Sequence, residues 1–457
     1  MKPGPEVHYP RPMPITREGV IVVGAGVAGA VAARDLSARD IPVLIVDRKT
    51  RDEADNPRAI RSEATFPPAL YSIGAEGAIT NVFNVTHIHV PGQEPIRHVL
   101  PRNDDPMRNF AVSLDHQKLL QILRGRLDIN SNIEFVEGVN VKSVSEHGDG
   151  VHVVFDSKVD GKQRHVVNAV VLATGAVGKE FAFPNPQRQR EFDNSIVAAA
   201  YGREFDGEIT LPGGDRTAIG AFGWEIGRLS YVNPVRPGKI HIVYTEYIRR
   251  KDAGKLDRPK GLAALLKELR RAGLIDAEED PDAPTIGGFF GMQAARSRTG
   301  YKHVFAHGDR GQYIGPAGDS IGTTIRVSPG LAEIIARGGT AQEYHTLLRK
   351  TAHHTLETAG LNARLQGTRF GEGAALAIDL IQDMSPEEQI DRVQTHRIPW
   401  TRAILRSLLP GGGRERRLFW TVVKELAIEV TRPTDRPLDP NLPDTVWKEG
   451  QSPNKTS

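Results

Sequence analysis

The chain has 457 residues, 39% hydrophobic and 25% charged, with a formal net charge of +3. That length accommodates about two or three domains, and so small a net charge gives no grounds for a nucleic-acid partner, since such binders concentrate Lys and Arg on one face. No cysteine is present, which excludes disulfides, thiolate catalysis and Cys-ligated metal centres and suits a reducing cytoplasm.

Residues 1–18 are proline-rich and carry no apolar h-region, so they are expected to form a flexible N-terminal arm rather than a secretory signal. No run approaches the ~20 apolar residues of a membrane span. From Gly19, the segment VIVVGAGVAGAVAARDLSARDIPVLIVDR predicts a strand, a glycine turn, an apolar helix and a second strand. Its Val/Ile runs do not alternate, as expected of a parallel sheet covered on both faces. Residues 50–110 are rich in Pro, Arg and Asp, with a period-two stretch at Val82–Val90. SLDHQKLLQILRGRL (113–127) predicts a helix, and 132–156 predict strands turning at His147–Gly150. HVVNAVVLATGAVG (165–178) predicts a further buried strand ending in a glycine turn. Strands are expected over 190–250, an amphipathic helix over 261–274, and strand, loop and helix over 311–339. Beyond Gln342 the pattern is mostly helical, broken at Pro399 and at Pro410-Gly411-Gly412-Gly413. Residues 432–457 read as a flexible tail.

The chemistry starts at Gly24-Ala25-Gly26-Val27-Ala28-Gly29, set between strand and helix, with Asp47-Arg48 ending the next strand. Gly24 permits a tight turn, Gly26 admits a pyrophosphate to the backbone, and Gly29 lets helix and strand pack closely. The helix N-terminus offers free N–H groups and partial positive charge to phosphates. Asp47 is placed to accept a ribose 2′-hydroxyl and to reject a 2′-phosphate. The residues alone leave NAD and FAD open. Two later segments bear on that choice. The strand Val170–Ala173 runs into Thr174-Gly175, and a strand expected at Gln312–Ile314 precedes Gly318-Asp319. The helix after Asp319 is expected to start with Ser328 as N-cap and Pro329 in its first turn.

These motifs, in this order, resemble single-Rossmann FAD-dependent oxidoreductases of the p-hydroxybenzoate hydroxylase and geranylgeranyl reductase type, over about residues 18–345. The resemblance implies an α/β fold: a Rossmann-like FAD-binding domain with a parallel sheet and helices, a mixed β-sheet substrate domain, and a helical C-terminal region. It implies FAD as cofactor, with Asp319 on the ribityl chain and Val141, Thr174 and Gly175 beside the dinucleotide. SLDHQKLLQIL resembles the family helix that contacts the flavin phosphates, a role for His116 or Gln117. Three departures stand out. The family's Asp-Gly motif with a following Arg near the second fingerprint is replaced by Ala-Thr-Gly-Ala-Val-Gly. The Pro and Gly-x-Gly usual after Gly-Asp are missing after Asp319, and the halogenase Trp-x-Trp-x-Ile-Pro signature is absent. No second GxGxxG follows, so NADH or NADPH would bind transiently as electron donor.

The domains are accordingly drawn as an FAD-binding domain at 19–185 (with 50–110 partly in the substrate domain), a substrate domain at 186–290, a closing FAD segment at 291–345 and a helical region at 346–431. The expected activity is an NAD(P)H-using flavin monooxygenase that hydroxylates or epoxidises a hydrophobic small molecule. A geranylgeranyl-reductase-type double-bond reductase and a redox-neutral FAD-binding protein, a cyclase or ligand binder, are the alternatives. No acid, base or metal ligand set emerges from spacing. His87 and His89 share one strand face and read as solvated, His353-His354 as incidental, and Arg296, Ser297 and Arg298 as a solvated loop. The segment Ile398–Val430 mixes Trp400, Leu405, Leu409 and Trp420 with Arg402, Arg406, Arg414 and Arg417. It is expected to pack over the substrate domain or a dimer contact, with a peripheral membrane contact as the alternative.

Overall fold

Val20–Val23 and Val43–Asp47 form adjacent parallel strands, joined by the helix Val27–Ser37. The computed structural model describes residues 19–50, 61–65, 67–83, 85–89, 96–99, 111–157, 161–175, 196–210, 219–224, 228–279, 283, 285–291, 300–311, 320–351, 384–389, 416, 420 and 445–448. Among these, the first sheet runs in the order Gly300–Tyr301, Val304–Ala306, Ala169–Leu172, Val20–Val23, Val43–Asp47, Ile133–Glu137. Every pairing is parallel except that of the short outer strand Gly300–Tyr301.

The absence of hydrophobic alternation has a direct cause, since both faces of this sheet are buried. Val20, Val22, Val43, Ile45, Val171 and Phe305 face helices, with Ala30, Val31, Leu36, Leu119, Leu123, Leu331 and Tyr344 packed against them. Ile21, Val23, Leu44, Val46, Val170, Leu172 and Val304 face the other way. Their cover is a second, antiparallel sheet contributing Val139, Val144, Val151, Val153 and Phe155. Each fully buried aliphatic here contributes about 1.5–3 kcal/mol relative to exposure. The antiparallel cover runs Gly161–Val167, Gly150–Ser157, Val139–His147, Thr445–Lys448. Thr445–Lys448 falls in the stretch read as a flexible tail; it pairs with Val139–His147 and so completes that edge.

A larger mixed sheet carries Ile275–Glu279, Ile196–Ile209, Lys239–Arg249, Arg228–Arg236, Ile219–Trp224, Val85–His89 and Ile96–Val99 in that order, with Thr285–Gly291 also on Ile196–Ile209. The helix Arg258–Arg271 closes one face of it with Leu262, Leu265, Leu266 and Leu269 against Phe205, Ile240, Ile242 and Tyr244. That helix starts three residues before the expected segment because Asp257 caps it, accepting from Lys260 N–H at 3.2 Å, with Pro259 in the first turn. His87 is corrected by this sheet. Its strand is flanked on both sides by partners, and the side chain is 0% exposed rather than solvated.

The helix Ile321–Ala336 also departs from expectation. Ser328 and Pro329 sit inside it, and its N-cap is Ser320. Pro329 removes one backbone donor. Burial of Ile325, Leu331, Ile334 and Ile335 against the first helix holds the turn regardless, because packing of an apolar face outweighs local preference. Gln312–Ile314, Arg296–Arg298, His353-His354 and most of Ile398–Val430 lie outside the described residues; Trp420 is 61% exposed. No described helix is long and apolar enough to cross a membrane.

Candidate dinucleotide site

Three turns meet at the C-terminal edge of the parallel sheet. In the first, Gly24 has φ 101°, and a Cβ there would lie 2.6 Å from the carbonyl oxygen of Ala173. Only glycine permits both the left-handed backbone and that approach. A Cβ on Gly29 would lie 1.8 Å from Gly24 O, so the helix is seated directly on the turn. A Cβ on Gly26 would meet nothing within 4 Å. Gly26 is thus the open face of the turn, and no side chain caps the helix N-terminus that it begins. The first-turn N–H groups remain available to an anion.

Asp47 does more than wait for a ribose. Its Oδ2 accepts from Ala25 N–H at 2.6 Å and its Oδ1 from Lys49 N–H at 2.8 Å. An ionised carboxylate has further lone pairs, so the same side chain fixes the turn and keeps acceptor capacity. Arg48 is exposed at the strand end. The side chains of Ala25 and Val27 are buried in the helix-side core, whereas Ala28 is half-buried in the first turn.

The second turn is Ala173-Thr174-Gly175, with Ala173 N–H donating to Val23 O at 2.8 Å and Gly175 at φ 76°. The Cα of Thr174 stands 3.5 Å from where a Gly24 Cβ would be, and its buried hydroxyl has no partner among the described residues. The third turn precedes the expected Gly-Asp pair. The strand that closes the sheet beside Ala169–Leu172 is Val304–Ala306, and the residues that follow it are His307-Gly308-Asp309. Gly308 has φ 64°, and its Cβ would lie 2.6 Å from that of Ala28. A Gly-Asp pair therefore follows the closing strand and abuts the first helix, ten residues before Gly318-Asp319, which lie outside the described residues. Counted from Asp309, the sequence has a following proline, Pro316, and then Gly318.

His116 and Gln117 open the helix His116–Asp128, half-buried and capped by Asp115, whose Oδ1 accepts from Lys118 N–H at 2.9 Å. Val141 contributes no polar group; its side chain is buried between the two sheets. One residue was missed. Arg124, on the same helix, is 7% exposed, and its Nη2 donates to Ala25 O at 3.2 Å. The signal for it was a charge on the apolar stripe, one turn from Leu120 and one from Leu127. Deeper in the sheet, His307 Nδ1 lies 2.8 Å from Tyr344 OH, and burial pushes the imidazole down to about 3. No group of metal-ligating residues occurs among the described residues. The open backbone at Gly26, the uncapped helix, the unpaired Thr174 hydroxyl and the acceptor capacity of Asp47 together fit a dinucleotide.

Comparison with known proteins agrees with this geometry. Residues 18–205, which contain the first two turns, match the family described as pyridine nucleotide-disulphide oxidoreductase. The chain has no cysteine, so the likeness concerns dinucleotide binding and not a dithiol. The structure of a geranylgeranyl bacteriochlorophyll reductase-like protein from Thermoplasma acidophilum superposes with a TM-score of 0.61, covering 90% of this chain and 98% of that one at 14% identity. A flavin-dependent brominase gives 0.60 over 91% of this chain and all of that one (100%), at 13% identity. The chain shares the fold of these two proteins. Among curated sequences, squalene monooxygenase of Rattus norvegicus is 24% identical over 175 residues, 36% of this chain. The chain spans 30% of the length of that relative.

Proposed function

We propose that this protein is an FAD-dependent oxidoreductase, and within that class a monooxygenase. It would take electrons from NADH or NADPH and hydroxylate or epoxidise a hydrophobic small molecule. The observation that carries the reading is the meeting of the three turns at Gly24–Gly29, Ala173–Gly175 and Gly308-Asp309 on one sheet edge. Bound FAD would supply the redox chemistry. The chain's own part is to bind and orient. Gly26 admits the diphosphate, the helix N-terminus and Thr174 offer donors, and Asp47 holds the turn while accepting a ribose hydroxyl. Asp309, rather than Asp319, takes the ribityl position that the resemblance implies. The likeness to squalene monooxygenase supports oxygen insertion into an apolar substrate. A double-bond reductase is the second reading, supported by the fold-wide likeness to the reductase-like protein.

The test is the visible spectrum after reconstitution with FAD, followed by anaerobic titration with NADH and NADPH and product mass under air. Uptake of FAD, bleaching by a nicotinamide and a gain of one oxygen in the product are expected. A gain of two hydrogens instead makes the protein a reductase. FAD that stays oxidised with both nicotinamides makes it redox-neutral. A protein that takes up no FAD overturns the whole reading.

A further inference from the structure

The guanidinium of Arg124 occupies a position that ordinary packing does not explain. It lies on the buried stripe of the helix His116–Asp128, 7% exposed. Its Nη2 donates to Ala25 O, and its carbon sits 5.8 Å from the centroid of the Phe135 ring. Its Nε and Nη1 are buried with no hydrogen-bond partner among the described residues. A guanidinium carries five donors in a fixed fork, and a buried charge without a counter-charge is strongly disfavoured. Asp47, the carboxylate that shares Ala25 with it, accepts from the Ala25 and Lys49 N–H groups. Ala25 is therefore held at both of its backbone groups, its N–H by a carboxylate and its C=O by a guanidinium that has no carboxylate partner among the described residues. Ala25 itself lies between Gly24, fixed against Ala173, and Gly26, the open face of the turn.

We propose that Arg124 is a cofactor-binding residue: its unspent N–H groups take diphosphate oxygens of the dinucleotide held by the Gly24–Gly29 turn. This rests on the FAD reading for the identity of the dinucleotide, but only on a diphosphate for its chemistry. Two consequences separate it from a merely structural role. The empty protein carries Arg124 at a cost to its own stability. The loaded protein recovers that cost, so cofactor and fold are coupled through this side chain.

The experiment compares wild type, Arg124→Met and Arg124→Lys. It measures affinities for FAD, ADP and adenosine by titration, and melting temperatures with and without FAD. Arg124→Met removes the charge while filling much of the volume. The expected result is an apo melting temperature no lower than wild type, with FAD and ADP binding weakened on the order of 10- to 100-fold, as for loss of charge-assisted hydrogen bonds. Adenosine, which has no phosphate, should bind both proteins alike. Arg124→Lys should recover part of the loss as a point charge without the fork. Unchanged FAD and ADP affinity in Arg124→Met overturns the proposal. So does a lowered apo melting temperature with the FAD-induced shift intact, which would mark Arg124 as a support for the turn alone. Wild type that binds ADP in an Arg124-dependent manner but not FAD keeps the proposal and overturns the FAD reading. Wild type that binds neither overturns both.

Discussion

Replacing Gly308 with alanine tests whether the third turn stands after Val304–Ala306. Gly308 has φ 64°, where a side chain costs about 1–2 kcal/mol. The added methyl would lie 2.6 Å from the Cβ of Ala28, about 1 Å inside the ~3.5–4.0 Å optimum between carbons. The Ala28 Cβ is not the far end of a flexible chain, so backbone must move, at about 1–3 kcal/mol. The two costs sum to about 2–5 kcal/mol of folding stability, readable as a lowered urea midpoint at unchanged slope. Moving this turn off the first helix should also weaken FAD uptake, because Asp309 travels with it. Gly318→Ala is the companion measurement and should cost less FAD affinity. The reasoning fails if Gly308→Ala unfolds and binds FAD as wild type does, or if Gly318→Ala is the more damaging of the two.

Asp47→Ala leaves the Ala25 N–H without its charged acceptor; FAD affinity should fall by roughly one to two orders of magnitude, as expected for a charge-assisted bond, and equal affinity by fluorescence titration would contradict the role given to Asp47. His307, held neutral to about pH 3 by burial, titrates near the ordinary 6.5 once unfolded. Below that value the unfolded chain binds the extra proton, so stability is lost as pH falls from about 6.5 towards 3, by at most ~1.4 kcal/mol per pH unit. His307→Gln should flatten this dependence in urea melts run across that range, and an unaltered slope would remove His307 from the account. Asp115→Ala deletes the cap that holds Lys118 N–H and should cost about 1 kcal/mol, measured by chemical denaturation; a change within error would mean that the first turn frays without consequence.

The first turn was legible because each of its residues has a local reason visible in sequence. The two strands are continuous Val/Ile runs, and Gly24, Gly26, Gly29 and Asp47 stand at spacings set by the turn itself. The third turn was not legible in the same way. Its strand, Val304–Ala306, is three residues long and enters through a tight hairpin at Lys302, which has φ 42°. Its neighbour in the sheet, Ala169–Leu172, is distant in sequence, so tertiary pairing and not local sequence brings Gly308-Asp309 to this edge. The proline count offered a hint, since Pro316 follows Asp309 whereas the next proline after Asp319 is Pro329, inside a helix. Ser328-Pro329 imitates a helix start for the same reason that it fails as one: capping preference is local, and the buried face of Ile321–Ala336 is not. Arg124 and His87 went unread because burial of a polar side chain depends on what packs over it. The second cover of the parallel sheet could not be foreseen from the Val/Ile runs, which require burial on both faces without saying by what.

The late arrival of Val304–Ala306 has a bearing on how the molecule comes into being. The neighbours Val20–Val23 and Ala169–Leu172 are made early, yet the strand that leads into the third turn is translated only after the described strands of the larger mixed sheet. If FAD is held at this edge, a nascent chain is expected to take it up only after that strand has left the ribosome. Fragments ending near residue 205, although they hold the most recognisable stretch of sequence, should be recovered as unclosed, aggregation-prone pieces rather than as a portable binding module.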